Sequence, residues 1–334
     1  MEEAKRILGV LAAVAIFGAL VACGGGSSGS GGDDGGDTFG GVTFSGNSSV
    51  AVITEENATE VALSAFSGGG MATPDLIFLS AAVGNAEVEQ QHMQFLLDFT
   101  KRLRKTAPIL ANEEDPAVRL QNYYDYMPRN GQCGGTYDWS GTPDPEAASG
   151  SVTFNFNNYC DFGTTISGKI RVVWSHSSGT VYFEPLHAVI GGSASFTYGG
   201  QYRWTETESS TSWTDVLTLN LVLIDVTNDR SYKFENLRIE ETIPFDFNAP
   251  DRMVMSGRFF DFEHGRVTIS TPQVVLLPPP YNWPSEGTIQ FDGDNSSVRM
   301  IFISGGARIE WRQGASGNWQ LKETISSSEF PVWF

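Results

Sequence analysis

Apolar and polar residues alternate along most of the second half of the chain. From Cys133 onward, short runs with a period of two residues are separated by turns rich in Gly, Asn, Asp and Pro. A period of two places successive side chains on opposite faces, so each run predicts a β-strand. We expect roughly ten or more antiparallel strands joined by short turns, in a meander that forms a large curved sheet, a half-barrel or a barrel. The fold class predicted is therefore mainly β, with a small N-terminal helical part.

Three details of the strand pattern predict local geometry. The leucines of residues 217–223 alternate, whereas Val222 and Ile224 point to the opposite face, so this strand is expected to be covered on both sides near its end. The parity of the apolar residues changes near Asn236, and a β-bulge there would reconcile the two halves of that strand. Residues 253–271 predict one long hairpin.

The segment before Cys133 shows helical signals instead. After a loose strand pattern at residues 42–53, residues 54–66 predict a short helix that Thr54 can cap and that glycines 68–70 end. Residues 85–105 predict a longer helix, because apolar residues recur at three- and four-residue steps on one face. We expect that face to pack on the β body, and a helix on a membrane surface is the alternative.

The first 23 residues have the pattern of a secretory leader. Lys5 and Arg6 precede an apolar run that is shorter than the roughly 20 residues a transmembrane helix needs. The run ends in the lipobox Leu20-Val21-Ala22-Cys23, and by this motif the chain resembles bacterial lipoproteins. The resemblance implies cleavage after Ala22, attachment of lipid such as palmitate at Cys23, and anchoring to a membrane. An ordinary signal peptide and a permanent anchor helix are the alternatives.

With Cys23 assigned to lipid, two cysteines remain. Cys133 and Cys160 both lie in Gly-, Asn- and Asp-rich segments that are typical of loops at strand ends. An exported protein enters an oxidising compartment, where disulfides persist. We therefore predict a disulfide between Cys133 and Cys160, with two free thiols as the alternative. A metal site is not predicted, because two Cys with no nearby His do not complete a tetrahedral shell.

Composition divides the chain into four parts. Residues 1–22 are interpreted as the signal peptide, 23–48 as a flexible Gly/Ser/Asp tether, 49–130 as a mixed helical segment that packs on the sheet, and 131–334 as the antiparallel β body. The formal net charge of −18 argues against nucleic acid and anionic lipid headgroups as partners. The resemblance to lipoproteins implies a location in the cell envelope, and in a Gram-negative cell Gly24 after the Cys would favour the outer membrane.

Residues that could carry chemistry form no recognisable motif in the sequence. Neither a His-x-x-x-His spacing nor a Gly-x-Ser-x-Gly elbow nor a phosphate-binding Gly loop occurs, so we predict no catalytic residue, no metal and no cofactor. Acidic pairs and histidines are the two kinds of residue that could carry chemistry. Acidic pairs could serve a glycosidase, but they are interpreted as solvated strand faces. The residues concerned are the pairs Glu206/Glu208, Glu240/Glu241 and Asp261/Glu263, and the histidines His92, His176, His187 and His264.

The body of the chain also resembles a group of β-rich proteobacterial lipoproteins of uncharacterised function. The similarity is carried by short, turn-rich motifs across residues 50–325. It implies a shared β-rich architecture and the paired cysteines, and it implies no activity. The motifs are residues 53–58 (ITEENA), 133–135 (CGG), 150–151 (GS), 157–160 (NNYC), 264–272 (HGRVTISTP), 283–287 (WPSEG) and 291–293 (FDG).

Three functions remain open from the sequence. The first is a lipid-anchored cell-envelope protein with a structural or binding role, whose partner would be the membrane and an envelope protein. The second is a carrier that holds a lipid or another apolar small ligand on a curved sheet. The third is a surface carbohydrate hydrolase that uses an acid pair. We favour the first, because no residue in the sequence stands out as catalytic.

Overall fold

The computed structural model describes residues 38–70, 128–144, 149–161, 163–192, 194–246, 248–279 and 283–327. The leader with Cys23, the helix predicted at residues 85–105 and His92 lie outside these residues.

Most of the described chain is β-strand, with one helix, α1 (Ala58–Gly70). Two short strands near the N-terminus, β1 (Thr38–Phe39) and β2 (Val42–Thr43), form a small hairpin. The remaining strands are β3 (Gly134–Asp144), β4 (Ser149–Asp161), β5 (Thr164–Ser175), β6 (Ser178–Ile190), β7 (Ala194–Glu208), β8 (Ser212–Asp225), β9 (Arg230–Pro244), β10 (Asp251–Asp261), β11 (Gly265–Leu277), β12 (Glu286–Asp292), β13 (Ser296–Ile303), β14 (Gly306–Gln313) and β15 (Gln320–Ser326).

Strands β3 to β15 form a single antiparallel sheet in which sequential strands are always neighbours. The predicted meander is confirmed. The sheet is open, and β3 and β15 form its edges. Of the predicted alternatives, the structure therefore has an open sheet and not a closed barrel. A strand pattern specifies local pairing, whereas closure requires the first and last strands to meet.

One face of the sheet, called here the inner face, carries a continuous apolar core. Buried side chains from β3 to β15 belong to one cluster, from Tyr137 at one edge to Ile325 at the other. Large aromatic residues on this face, such as Phe154, Phe183 and Phe291, have no exposed surface. Burial of this size is the main favourable term in the folding of such a sheet.

Helix α1 packs against the inner face of the sheet, near the edge that the C-terminal strands form. It contacts β10, β13, β14 and β15, and the Phe66 and Phe302 rings lie 5.6 Å apart. The turn before α1 is closed by a reciprocal pair, since the Thr54 backbone N–H donates to the Asn57 side chain and the Asn57 N–H to Thr54 Oγ1. Such a reciprocal arrangement satisfies donors that the start of a helix leaves open.

Residues 38–53, called here the strap, begin on the other face of the sheet, the outer face. The β1–β2 hairpin contacts β7 and β8, and Phe39, Val42 and Phe44 pack with outer-face residues such as Val222 in a second, smaller core. Residues 38–48 were assigned to the tether from their composition, but they are part of the folded body. The three apolar side chains attach them to the sheet, together with hydrogen bonds from the Ser45 backbone N–H and hydroxyl to Ser231 Oγ.

The strap then crosses from the outer to the inner face at one end of the sheet. The Asn47 N–H donates to the Phe262 carbonyl beside the β10–β11 turn, and the Asp294 N–H in the β12–β13 turn donates to the Ala51 carbonyl. Ala51 and Ile53 already belong to the inner core. The N-terminal part of the chain therefore clamps both faces of the sheet around these two turns.

The structure bears out the local predictions for the strands, with one correction. Asn236 has a positive φ of 49° next to register shifts against both neighbouring strands, as a bulge requires, and β10 and β11 form the predicted hairpin. The Asn-rich segment before Cys160, expected to be a loop at a strand end, is instead a bulge inside β4, centred on Asn158 with a φ of 48°. Asn tolerates this conformation, so the same residue type suits a turn or a bulge.

Candidate functional site

A disulfide joins Cys133, just before β3, to Cys160 near the end of β4. Their Cα atoms lie 5.1 Å apart, and the Cys133 N–H donates to the Cys160 carbonyl. Gly135 is required beside it, because a Cβ at that position would overlap the Asn158 carbonyl. The cysteines and their neighbouring glycine therefore fix the edge of the sheet at which β3 begins.

Two of the short motifs, at residues 264–272 and 291–293, meet where the strap crosses the sheet, whereas Trp283 lies at the opposite end of the strands. A Cβ on Gly265 would overlap the Ser49 carbonyl, and one on Gly293 would overlap the Ala51 carbonyl. The Trp283 indole N–H donates to the carbonyls of Ile303 and Gly306, which closes the β13–β14 turn. These residues have structural roles at turns, and none of them presents a reactive group to a cleft.

The same crossing brings together a serine, a histidine and two carboxylates. Ser64 Oγ donates to Asp261 Oδ2 at 2.5 Å, and His264 Nε2 lies 3.4 Å from Glu60 Oε2. The other Asp261 oxygen accepts the backbone N–H groups of Glu263 and His264. A nucleophilic serine must donate to a histidine, which the carboxylate then orients. Because Ser64 is bound to the carboxylate instead, this cluster ties α1 to the β10–β11 turn.

The remaining described histidines lie on the surface. His187 on the outer face has Thr197 Oγ1 3.3 Å from Nδ1 and Ser195 Oγ 3.4 Å from Nε2, and His176 lies in the β5–β6 turn. No carboxylate is among the described hydrogen-bond partners of the His187 ring. A serine and a histidine in contact without an orienting acid or an enclosed site do not make a hydrolytic centre.

The sheet also gathers acids that are distant in sequence. Glu206, Asp215 and Glu241 are directly opposite one another on β7, β8 and β9, on the inner face. Glu241 is 3% exposed, so the interpretation of its pair with Glu240 as a solvated face is wrong for Glu241. Glu240 points to the outer face and binds Arg238 at 2.6 Å. A sequence pattern within one strand cannot find a row that three strands build.

A second buried carboxylate organises the β8–β9 turn. Asp225 has no exposed surface, and it accepts the backbone N–H groups of Thr227 and Asn228 and the side-chain amide of Asn228. Tyr198 lies nearby on the inner face. Burial, and secondarily the negative charge of Asp225, hold the pKa of Tyr198 well above its usual value.

The outer face of β13 and β14 carries a cluster of three arginines, called here the arginine cluster. Arg299 binds Glu310 Oε2 through Nε at 2.9 Å and Nη2 at 2.6 Å, and Arg308 Nη2 lies 3.5 Å from Glu310 Oε1. Trp319, in the β14–β15 connection, lies over two of the guanidinium groups, 4.2 Å from that of Arg299 and 4.4 Å from that of Arg312. No sequence motif links these residues, because their spacing along the chain is irregular.

Hydrogen bonds hold the β12–β13 turn at residues 292–295. The Gly293 N–H donates to the Ser296 carbonyl, while Asp292 accepts hydrogen bonds from Gln290 and Ser297. These contacts make it a turn that holds β12 to β13. Within the part of the chain that the structure describes, no group of three or more His, Cys, Asp or Glu residues could hold a metal ion.

The fold and these clusters define a class, an open antiparallel sheet of thirteen strands with one helix on its inner face. No protein-family model matches the sequence, and no similar chain was found among curated proteins or solved structures. Among the described residues, no helix is long and apolar enough to cross a membrane.

Proposed function

We propose that the protein is a lipid-anchored component of the cell envelope, with a structural or binding role rather than an enzymatic one. In this proposal Cys23 carries the lipid, the β body lies outside the membrane, and the envelope is that of a Gram-negative cell. The lipobox Leu20-Val21-Ala22-Cys23 is the sequence feature on which it rests. The body then serves as a platform, and a partner would bind the exposed part of its outer face.

The position of Thr38 supports this arrangement. Thr38 lies in the β1–β2 hairpin, which packs on the outer face over β7 and β8, away from the inner core. A chain that leaves the body there can be attached to a membrane without disturbing the apolar core. The 14 residues from Gly24 to Asp37 are rich in Gly and Ser, and a flexible chain of that length has a typical reach of about 20 Å.

The burial of the inner face favours this role over a carrier. Phe154, Phe183, Phe196 and Phe291 are fully buried by the protein itself. A carrier needs an apolar cavity that a ligand can enter. The carrier is tested by extracting the purified protein with organic solvent and analysing the extract by mass spectrometry. A stoichiometric lipid other than the N-terminal modification would replace the first proposal with the second.

Metabolic labelling with an alkyne analogue of palmitate tests the anchor. We expect the wild-type chain to be labelled and found in the membrane fraction, and Cys23→Ala to lose both properties. Cys133→Ser is the matched control, since it removes a different cysteine and should keep the label. An unlabelled wild-type chain, together with a Cys23→Ala variant that stays in the membrane fraction, would overturn the proposal.

The row of Glu206, Asp215 and Glu241 is the one feature that favours the hydrolase as a second candidate. Neighbouring residues across a sheet have Cβ atoms roughly 4.5–5.5 Å apart, so their carboxyl groups can reach the roughly 5–5.5 Å separation found in retaining glycosidases. If the row were catalytic, the wild-type protein would hydrolyse a carbohydrate and the Glu241→Gln variant would not. We expect no such hydrolysis, because the row faces the packed core and Glu241 is almost fully buried.

A further inference from the structure

The arginine cluster is a local exception on an acidic protein. The chain has a formal net charge of −18, with 39 acidic and 21 basic side chains. Even so, Arg299, Arg308 and Arg312 project from the same face of two neighbouring strands. Their opposite residues are Glu310, Ile301 and Ser297 respectively. Residues paired in this way share a face, and the alternate residues Val298, Met300 and Phe302 are buried on the inner face.

The charges in this cluster do not cancel. Glu310 is shared by Arg299 and Arg308, so one carboxylate faces two guanidinium groups. The cluster has a second carboxylate, that of Asp292, which lies across the strands in line with Ser297 and Arg312. It accepts hydrogen bonds from Ser297 and Gln290. Three cations and two anions leave one positive charge in excess.

Arg312 carries that excess. It makes no ion pair with the described residues, and its Nε has no hydrogen-bond partner among them. Its guanidinium group is instead held against the Trp319 ring at 4.4 Å. An arginine oriented by stacking loses little further entropy when its fork of N–H groups binds an oxyanion.

We propose that the arginine cluster is a binding site for a phosphate group, with Arg312 as the principal ligand and Trp319 as the residue that positions it. Arg299 is fixed by Glu310 and by the same ring, so two guanidinium groups are oriented before the ligand arrives. A phosphate monoester carries a charge of about −1.5 to −2 near neutral pH and offers three acceptor oxygens, so it can neutralise the single excess charge and accept N–H groups from both guanidinium groups. The phosphate can belong to a small soluble molecule or to a phospholipid headgroup.

Titration calorimetry on the full-length protein in a non-ionic detergent tests the site. The probes are inorganic phosphate and glycerophosphoethanolamine, each compared with sodium chloride at equal ionic strength. We expect Arg312→Gln to weaken phosphate binding by about tenfold or more. Arg203→Gln is the matched control, because Arg203 is an exposed arginine on the same outer face, at β7, and it should bind phosphate as the wild type does.

Two further arms make the result decisive. Arg312→Lys keeps the charge and loses the fork, so a folded Lys variant with weakened binding supports the site even if the Gln variant does not fold. Binding of glycerophosphoethanolamine, a phosphodiester, as well as inorganic phosphate identifies a phospholipid headgroup as the ligand. Binding of inorganic phosphate alone identifies a soluble phosphate compound. Absence of phosphate binding by the wild type, or unchanged binding by both Arg312 variants, would overturn the proposal. Neither result depends on lipid at Cys23.

Discussion

The ammonium group of Lys233 lies 3.9 Å from the centre of the Phe260 ring on the outer face of the sheet. Lys233 is 2% exposed, which is unusual for a lysine, and the ring of Phe44 on the strap lies 5.7 Å from the same nitrogen. Aromatic faces attract a cation and offset part of the cost of removing it from water. The strap therefore covers a charged residue as well as apolar ones, and its attachment controls the exposure of that charge.

Phe44→Ala should destabilise the body by about 3 kcal/mol or more, because it removes a buried ring from the outer core and opens Lys233 to water. Denaturation by urea, followed by tryptophan fluorescence, measures the change. Val52→Ala is the matched control on the same strap. Val52 is 60% exposed, so its variant should differ from the wild type by less than about 0.5 kcal/mol. Equal stability of the two variants would show that the strap adds nothing to the fold.

Gly199→Ala should loosen the strap without affecting the inner core. Gly199 lies beneath the β1–β2 hairpin, and a Cβ there would overlap the Phe39 carbonyl and the Val42 side chain. Overpacking of this kind costs about 1–3 kcal/mol.

Limited proteolysis measures the effect of Gly199→Ala, since a displaced strap would be cleaved earlier within residues 38–49 than in the wild type. Gln201→Ala, on the same strand and face, should leave the cleavage rate unchanged. If both variants are cleaved as slowly as the wild type, then the hairpin does not depend on the close approach at Gly199.

Loss of the disulfide should lower the free energy of unfolding by about 3–4 kcal/mol in the chain-entropy model, given a sequence separation of 27 residues. Cys133→Ser with Cys160→Ser is the variant, and unfolding in urea is the measurement. A reducing agent should destabilise the wild type by a similar amount and leave the double variant unchanged. Sensitivity of the double variant to the reducing agent would point to a different cysteine chemistry.

The stability of the wild type should fall above about pH 10 partly because of Tyr198. Burial raises the pKa of Tyr198, so its neutral form is favoured in the folded state. Below the ordinary tyrosine pKa both states keep the proton and stability is unaffected. At higher pH the unfolded chain releases the proton while the folded chain retains it, so stability is lost as the pH rises.

Tyr198→Phe should therefore lose less stability than the wild type between about pH 8 and about pH 11, by about 1 kcal/mol. Urea unfolding at the two pH values measures this difference. Phe196→Leu is the control, because it alters the same buried strand without removing a phenol, and it should keep the wild-type pH dependence. Identical pH dependence of Tyr198→Phe and the wild type would contradict the assignment.

Much of the sheet could be predicted from the sequence because strand signals are local. The alternation in residues 217–223 identifies the inner face of β8, and the opposite parity of Val222 is explained by the outer core beneath the strap. The bulge at Asn236 follows from a change of parity within one strand. The pairing of Cys133 with Cys160 follows from the number of cysteines and the expected compartment.

The candidate sites could not be predicted in the same way. The arginine cluster takes residues from β13, β14 and the connection after β14, and the acidic row takes one residue from each of three strands. Each member looks like an ordinary solvated residue in its own segment. Only the register between strands decides which of them are opposite one another, and a shift of one residue would move each to the other face.

The sequence by itself determined the type of element and the order of the strands, because periodicity is a property of neighbouring residues, and the lipid anchor at Cys23 stays a prediction from the sequence. Tertiary structure decided that the sheet stays open and that residues 38–48 fold against its outer face. It also decided that Lys233 and Glu241 are buried and that Arg312 stacks on Trp319. Those outcomes depend on contacts between residues far apart in the chain, such as the one between Ser45 and Ser231, whose side-chain oxygens lie 3.1 Å apart. Contacts of this kind are formed only when the whole sheet has assembled.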